Sequence, residues 1–205
     1  MEENVKKKAL VLISLVILSF ICGCQSNSVQ RIDPSVSKDL SGYWNDTDVR
    51  FIADTLVQEC VDAPAIRNYI VQNKKFPTLI LGSFKNLSDE HLDTSIVAKK
   101  FEAALVNSGK VDFVADSKER EEIRKERVDQ LEHASEETAK SLGYEIGADF
   151  MLIGTVKTIV DSADGKSVRN YIVNAELIDV ETNRKLWVGE NSDIKKFISR
   201  SKVRF

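Results

Sequence analysis

The clearest indication of the fold of this chain is the stretch Phe150-Met151-Leu152-Ile153-Gly154-Thr155-Val156. It is a short, nearly continuous apolar run that follows Gly147-Ala148-Asp149, where a preceding element would end. Runs of this length and composition are typical of β-strands buried on both faces. The sequence therefore predicts a central strand here, with both faces covered by other elements.

Two further apolar runs precede the central strand, from Pro77 to Phe84 and from Val111 to Ala115. Both are short and bounded by turn-forming residues, which is typical of strands. Between them lies a helical pattern that Asp93 can cap and that Gly109 can end. This β–α–β order places the two strands in parallel if they share one sheet.

The last third of the chain is rich in strand patterns. A turn-rich connection from Asp161 to Lys166 leads to Arg169–Leu177, where apolar and polar residues alternate, as in a strand with one wetter face. After a turn at Thr182-Asn183 comes the apolar run Leu186-Trp187-Val188. For the tail from Ile194 to Ile198 we predict a last helical turn.

Helical patterns precede the first strand. One of Asn45, Asp46 and Thr47 can cap a helix whose apolar residues, from Val49 to Cys60, recur at spacings of three and four. Pro64 fits the first turn of a second, short helix.

Two more helices are predicted between the second strand and the central one. The first runs through the charged stretch Lys118 to Asp129, with Asp116 and Glu119 spaced as a capping box and Glu121 and Lys125 spaced as an ion pair. The second begins at Ser135 and carries Ala139, Leu142 and Ile146. Together the patterns predict an α/β (α+β) fold, with a single small mixed β-sheet flanked by about four helices.

The first residues have the features of a lipoprotein signal peptide. Lys6, Lys7 and Lys8 precede the apolar run from Ala9 to Ile21, which would span only about 20 Å as a helix. A bilayer core of about 30 Å needs a longer run. Ile21-Cys22-Gly23-Cys24 then resembles a bacterial lipobox with Cys24 as the acceptor. We predict a signal peptide over 1–23 and lipid attachment at Cys24; the alternative is a plain secreted protein with an incidental Cys24.

By resemblance to bacterial lipoproteins, Cys24 would become the N-terminal residue, carrying a diacylglycerol thioether and an amide-linked acyl chain such as palmitate. Cys22 would leave with the signal peptide, so Cys60 alone would remain free and no intramolecular disulfide could form. Its place on an apolar helical face favours a small core residue over a reactive thiol. Because Gln25 follows Cys24, the periplasmic face of the outer membrane of a diderm bacterium is the expected location.

A polar stretch follows the acceptor cysteine, and we predict a flexible tether over 24–38 and a globular periplasmic domain over 39–205. The domain opens with Asp39-Leu40-Ser41-Gly42-Tyr43-Trp44-Asn45-Asp46-Thr47-Asp48. Two adjacent aromatic residues are unusual in a linker. Tyr43 and Trp44 either pack onto the domain and fix the chain before the first helix, or form a partner-binding patch.

No catalytic, cofactor or metal site is expected. The two histidines, His91 and His133, have no further ligand at a metal-binding spacing, and no nucleophile or phosphate-binding motif occurs. Ser83, Ser88 and Ser95 have no matching base, and the acidic pairs Asp46/Asp48 and Glu136/Glu137 stand where they would cap helices. With a net charge of −3 and no polybasic stripe, nucleic acid and small-molecule substrates are not expected partners.

Three segments resemble the LpoB-type penicillin-binding-protein activator lipoproteins. They are the ten residues from Asp39 to Asp48, the stretch Gly147-Ala148-Asp149-Phe150-Met151-Leu152-Ile153-Gly154, and the closing strands from Tyr171 to Asp179 and from Thr182 to Trp187. The resemblance covers about residues 39–198. It implies a fold like the N-terminal domain of TolB.

The resemblance also implies a function. Such proteins are non-catalytic regulators that reach a class A penicillin-binding protein and stimulate peptidoglycan synthesis. The best-known members have a long proline-rich tether, whereas this chain has a short one with only Pro34. The alternatives are a structural or assembly envelope lipoprotein, akin to the curli-pore subunit, and an envelope hydrolase.

Overall fold

A computed structural model describes residues 31–33, 36, 39–135, 137–138, 140 and 145–199. It has four helices within these ranges: α1 (Asp46–Val61), α2 (Pro64–Asn73), α3 (Thr94–Ser108) and α4 (Ser117–His133). The strands in the same ranges are β1 (Thr78–Leu87), β2 (Asp112–Phe113), β3 (Phe150–Ala163), β4 (Lys166–Asp179), β5 (Lys185–Asn191) and β6 (Lys195–Ser199).

The strands form one mixed sheet in the order β2-β1-β3-β4-β5, and β6 pairs with the first half of β4. The pairs β1–β2 and β1–β3 are parallel, whereas β4 pairs antiparallel with β3, β5 and β6. The β–α–β prediction for β1, α3 and β2 is therefore confirmed. The fold class is also confirmed, since a single mixed sheet is combined with four helices.

The core lies on one face of the sheet, here called the inner face, where α1 packs against α3 and β5, and α3 packs against β1. Phe150, Leu152 and Val156 of β3 point into this core. Met151 and Ile153, on the opposite or outer face, are only partly buried. The prediction that both faces of the central strand are covered is therefore wrong, because α1 and α3 lie on the same side.

Local signals placed the helix ends correctly. Asn45 is the cap of α1 and forms a capping box with Asp48. Pro64 opens α2, and Asp93 caps α3. A second capping box, between Asp116 and Glu119, starts α4. The side chains of Asn45, Asp93 and Asp116 accept hydrogen bonds from backbone N–H groups that the first helical turn leaves free.

Two predictions of helix are corrected. The tail from Lys195 to Ser199 is the strand β6 rather than a helical turn, because its backbone pairs with the free edge of β4. The helix predicted from Ser135 is not present in the described residues, where Glu137 and Thr138 form a turn. Ile146 is exposed, so the predicted apolar stripe has no core to cover there; Ala139 and Leu142 lie outside the described residues.

The hairpin of β3 and β4 extends beyond the rest of the sheet. The predicted connection from Asp161 to Lys166 is shorter than expected, since both strands continue to a two-residue turn at Asp164 and Gly165. Both turn residues have positive φ, 50° and 76°, the geometry that suits the twist of a tight hairpin. The extension provides the β4 edge on which β6 lies.

Among the described residues, no helix is long and apolar enough to cross a membrane.

Candidate functional site: the cluster under the N-terminal arm

The seven residues before α1, Asp39 to Asn45, are here called the N-terminal arm. They lie against β6, where Gly42 faces the side chain of Ile198. A Cβ atom on Gly42 would be 2.5 Å from Cγ1 of Ile198, and its φ of 74° is in the left-handed region. Glycine is therefore required here for two independent reasons, steric space and backbone conformation.

Lys196 of β6 holds the arm and the start of α1 together. Its Nζ donates to Asp48 Oδ2 at 2.6 Å, to Asp39 Oδ1 at 2.7 Å and to the Tyr43 carbonyl at 2.8 Å. The Lys196 side chain is only 8% exposed. Since an ammonium group has three donors, this set of acceptors satisfies it completely. We call this group the lysine clamp.

The acceptors of the lysine clamp have further bonds within the arm. Asp48 Oδ2 also accepts from the Asn45 backbone at 3.0 Å, as part of the α1 capping box. Asp39 Oδ1 also accepts from the Asn45 side chain at 2.6 Å. The clamp therefore connects the arm, the first turn of α1 and the last strand, which are about 150 residues apart in sequence.

A second charged group lies beside the clamp and is centred on Glu90, in the loop after β1. Its carboxylate accepts hydrogen bonds from the Arg169 guanidinium and the Tyr171 hydroxyl, and one from the Trp44 backbone at 3.4 Å. Arg169 Nη1 also donates to Asp89 at 3.1 Å. We call this group the glutamate centre, and with the lysine clamp it forms the arm cluster.

The two predicted aromatic residues have different environments. Trp44 is partly buried against the core, with its ring 5.1 Å from the Tyr171 ring. Tyr43 is 52% exposed, and its ring lies 5.0 Å from the Arg169 guanidinium carbon, a cation–π distance. Trp44 thus packs onto the domain, as one of the two alternatives predicted, while Tyr43 has an exposed ring that a partner could contact.

Burial, hydrogen bonds and a neighbouring charge shift the pKa values of Tyr171 and Asp89. Burial raises the pKa of Tyr171, and its hydrogen bond to the Glu90 carboxylate adds to the shift. The hydrogen bond from Thr158 lowers the pKa of Asp89, and the nearby Arg169 charge adds to this effect. The neutral phenol and the ionised carboxylate are therefore the stable forms at neutral pH.

The cluster is suited to holding a chain segment rather than to chemistry. Its charged side chains are hydrogen-bonded to one another. Cys60 is buried in the core, where desolvation raises the pKa of its thiol to about 12, so it stays protonated at neutral pH. Both His91 and His133 are exposed. In the described ranges, no group of three or more His, Cys, Asp or Glu side chains is arranged to hold a metal ion.

Tyr43 and Trp44 were predicted from the sequence as candidate site residues, whereas the charged residues of the cluster were not. Arg169 and Tyr171 share the inward face of β4 with Val173. A basic residue at an inward position of an otherwise apolar alternating pattern could therefore have indicated a buried charged group. Lys196 had no comparable signal, since its partners are distant in sequence. Cys24, the predicted lipid acceptor, lies outside the described residues.

Comparison with known proteins identifies the family. A sequence model of the family described as "Peptidoglycan-synthase activator LpoB" matches residues 48–192, from the first turn of α1 to just after β5. The chain belongs to the LpoB family. The resemblance noted from the sequence is confirmed, and membership assigns the chain to the activators of peptidoglycan synthesis.

Solved structures similar to this chain include two domains of that family. The LpoB C-terminal domain from Escherichia coli is 16% identical, with 75% of this chain and 99% of that chain covered, at a TM-score of 0.43. The corresponding domain from Salmonella enterica has the same identity and coverage and a TM-score of 0.41. Lipoprotein GNA1162 from Neisseria meningitidis is 19% identical over 62% of this chain and 88% of that chain, at 0.36.

A comparison with curated protein sequences found no significant relative. The LpoB family match is narrower than the resemblance expected from the sequence, which ran from about 39 to 198. All of the N-terminal arm and all of β6 fall outside it. The arm cluster therefore joins the matched part of the domain, through Asp48, Glu90 and Arg169, to two segments that flank it.

Proposed function

We propose that this chain is a non-catalytic lipoprotein that binds and activates a class A penicillin-binding protein. The observation that carries the proposal is the LpoB family match over residues 48–192, which takes in α1 from Asp48 onward, the other three described helices and the five strands β1 to β5. A match that covers most of the folded domain favours an activator over an assembly lipoprotein with a related fold.

The proposed mechanism is a shift of population in the synthase. If the domain binds the active conformation more tightly than the inactive one, binding raises the active fraction without any chemistry by the activator. The largest possible activation equals the ratio of the two affinities. A domain whose reactive groups are buried or paired is compatible with such a role, because only its surface has to take part.

The proposed attachment is a lipid on Cys24, at the periplasmic face of the outer membrane. Two or more acyl chains hold a protein far more firmly than one, since each buried CH₂ adds about 0.8 kcal/mol. The tether over 24–38 would then keep the domain within about 50 Å of the lipid even when fully extended. This short reach requires the synthase to come close to the membrane that carries the activator.

For the contact itself, we propose Tyr43 as one partner-binding residue and Trp44 as the residue that holds it. Tyr43 offers an exposed aromatic ring of the kind enriched at interfaces. The Trp44 ring packs on Tyr171 and so holds the backbone of the adjacent residue, Tyr43, in place. Replacing Tyr43 by alanine should weaken synthase binding with little change in folding, whereas replacing Trp44 should affect both.

The proposal is tested by measuring binding of residues 25–205 to each class A synthase of the same organism. This form keeps every described helix and strand. We expect saturable binding to at least one synthase. Binding should be reduced in the Tyr43→Ala variant and unchanged in the Tyr43→Phe variant. Absence of binding to all of them would contradict the proposal.

The lipid attachment is tested separately, in cells. Metabolic labelling with a fatty acid should mark the full-length chain and should fail for Cys24→Ser. A labelled Cys24→Ser variant, or an unlabelled natural chain, would rule out the assignment whatever the outcome of the synthase assay.

A further inference from the structure

We infer that the N-terminal arm and β6 form one strap that opens and closes as a unit while the rest of the domain stays folded. The strap consists of the arm, Asp39 to Asn45, and of β6, Lys195–Ser199. Opening separates the Tyr43 ring from Arg169 and uncovers the edge of β4 from Lys166 to Asn170. The strap therefore controls how Tyr43 is presented to a partner, and this consequence rests on the function proposed above.

Both segments of the strap lie outside the apolar core of the domain. No strap residue belongs to the buried apolar cluster, and Trp44 is the one that packs against it. Leu40 is 84% exposed and Phe197 is 65% exposed. The strand β6 is held mainly by its pairing with β4. Segments with few buried apolar contacts open at a lower free energy than the core, so the strap can open without the helices and the other strands.

The lysine clamp makes the two segments depend on each other. Lys196 of β6 donates to two groups of the arm, Asp39 Oδ1 and the Tyr43 carbonyl, and to Asp48 in the first turn of α1. If the arm left alone, the nearly buried ammonium group would lose two of its three acceptors. If β6 left alone, the carboxylates of Asp39 and Asp48 would both lose their cation. Because either separation leaves charged groups without partners, the two segments leave together.

Gly42 and Ile198 provide a second contact between the same two segments. The backbone of the arm passes so close to the Ile198 side chain that a Cβ atom on Gly42 would be 2.5 Å from its Cγ1 atom. This contact exists only when both the arm and β6 are in place. Two separate contacts, one ionic and one steric, therefore couple the arm to the last strand.

The extent of the family match also separates the strap from the rest of the domain. The match begins at residue 48, after the arm, and ends at residue 192, before β6. The strap is thus built from the two segments that flank the matched part, and the clamp joins them to it at Asp48. This division supports a domain that keeps its fold when the strap opens.

The first test is native-state hydrogen exchange, followed by mass spectrometry, on the full-length chain in detergent. Amides of the arm and of β6 should share one opening free energy with the same dependence on urea, and should exchange faster than amides from Val173 to Leu177 in β4. The Gly42→Ala variant should speed exchange in both segments by about tenfold or more, because alanine is strained at this positive φ and meets Ile198.

Gly109→Ala is the matched control. Gly109 ends α3 with a φ of 63°, similar to that of Gly42, but a Cβ atom there would meet nothing within 4 Å. This variant has the same backbone strain away from the strap, so it should leave exchange in the arm and β6 unchanged. Acceleration confined to the arm in Gly42→Ala would overturn the inference. So would strap amides that exchange as slowly as those from Val173 to Leu177.

The second test locks the strap with a disulfide in the double variant Gly42→Cys, Ile198→Cys. A Cβ atom on Gly42 would be 3.8 Å from the Ile198 Cβ atom, within the range that a disulfide spans. The oxidised and reduced forms of this one variant control for each other. Oxidation should slow exchange in both the arm and β6 by at least about tenfold. Equal exchange in the two forms would overturn the strap.

Synthase binding by the same two forms tests the consequence for Tyr43. The oxidised form, which holds the Tyr43 ring beside Arg169, should bind a class A synthase more tightly than the reduced form. Equal binding by forms that differ in exchange would overturn the control of Tyr43 by the strap. A chain that binds no synthase in either form would contradict the proposed function, while the exchange measurements would still decide whether the strap exists.

Discussion

The arm cluster and helix α4 are both dense in charge, but they have opposite environments. In the arm cluster, Lys196 and Asp48 are nearly buried and are 148 residues apart in sequence. In α4, the Glu121–Lys125 pair is one helical turn apart and largely exposed, and no residue of the helix is buried. Charged side chains therefore form a tertiary junction in one case and a solvated helix surface in the other.

This difference shows where charge contributes to stability in this domain. A buried ion that loses its partner keeps its desolvation cost, whereas water replaces the partner of an exposed ion. We therefore expect substitutions in the arm cluster to be costly and equivalent substitutions in α4 to be nearly silent. Three substitutions test this contrast, and a measurement at alkaline pH tests the effect of burial on an ionisable group in the core, Cys60.

Replacing Lys196 by Met should have the largest effect, a loss of about 3 kcal/mol in the free energy of unfolding. The substitution keeps the aliphatic stem but leaves the Asp48 carboxylate buried without its cation. Urea denaturation measures the loss. Lys195→Met, at the exposed neighbouring position on the same strand, is the matched control and should change stability by less than about 0.5 kcal/mol. Equal effects at the two positions would contradict the clamp.

Replacing Glu90 by Gln should cost about 2 kcal/mol, because the Arg169 guanidinium then loses its buried counterion. The control is Asp89→Asn, which removes the other carboxylate beside Arg169 at a half-exposed position. The two variants are compared by the same denaturation experiment. A larger loss for Asp89→Asn would show that the glutamate centre is not the main partner of Arg169.

Alkaline pH should lower the free energy of unfolding, because Cys60 and Tyr171 are buried in their protonated forms. The folded state keeps the Cys60 proton up to about pH 12, whereas an unfolded thiol loses it near pH 9. Unfolding therefore releases a proton between these values, and stability falls there by up to about 1.4 kcal/mol per pH unit. The raised pKa of Tyr171 acts in the same direction above about pH 10.

The Cys60→Ala variant isolates the thiol contribution. Between pH 7 and 8 its stability should differ from that of the natural chain by a constant amount, and between pH 9 and 12 its stability should fall less steeply. Thermal unfolding across this range measures both slopes. Parallel curves throughout would mean that the thiol titrates normally in the folded state.

Replacing Lys125 by Ala in α4 should have the smallest effect, below about 0.5 kcal/mol. The pair with Glu121 is exposed, so salt screens it. Unfolding at low and at high salt measures this directly, and the difference from the natural chain should vanish at high salt. A loss comparable to that of Lys196→Met would remove the distinction between the two regions.

The fold was predictable wherever a local pattern determined it. Capping residues fixed the starts of α1, α3 and α4, and apolar alternation fixed the inward face of β4. The strand β6 was not predictable in this way. Its five residues have no strong pattern of their own, and they become a strand because β4 extends past β5 and offers an unpaired edge.

In the candidate site, too, some residues could be predicted from a local pattern and others could not. Tyr43 and Trp44 were noticeable as adjacent aromatic residues, and a compact motif before a helix could be interpreted from sequence alone. The lysine clamp could not, because its importance comes from the burial of Lys196 between partners at positions 39, 43 and 48. Nothing in the local sequence distinguishes Lys196 from the exposed Lys195 beside it.

Synthase activation itself is tested most directly by the rate of glycan polymerisation by a purified class A synthase, measured while residues 25–205 are added in increasing amounts. We expect the rate to rise and to saturate at the concentration at which binding saturates, with no polymerisation by the domain alone. A synthase that binds the domain without any change in rate, or a rate that stays constant with every class A synthase of the organism, would contradict it.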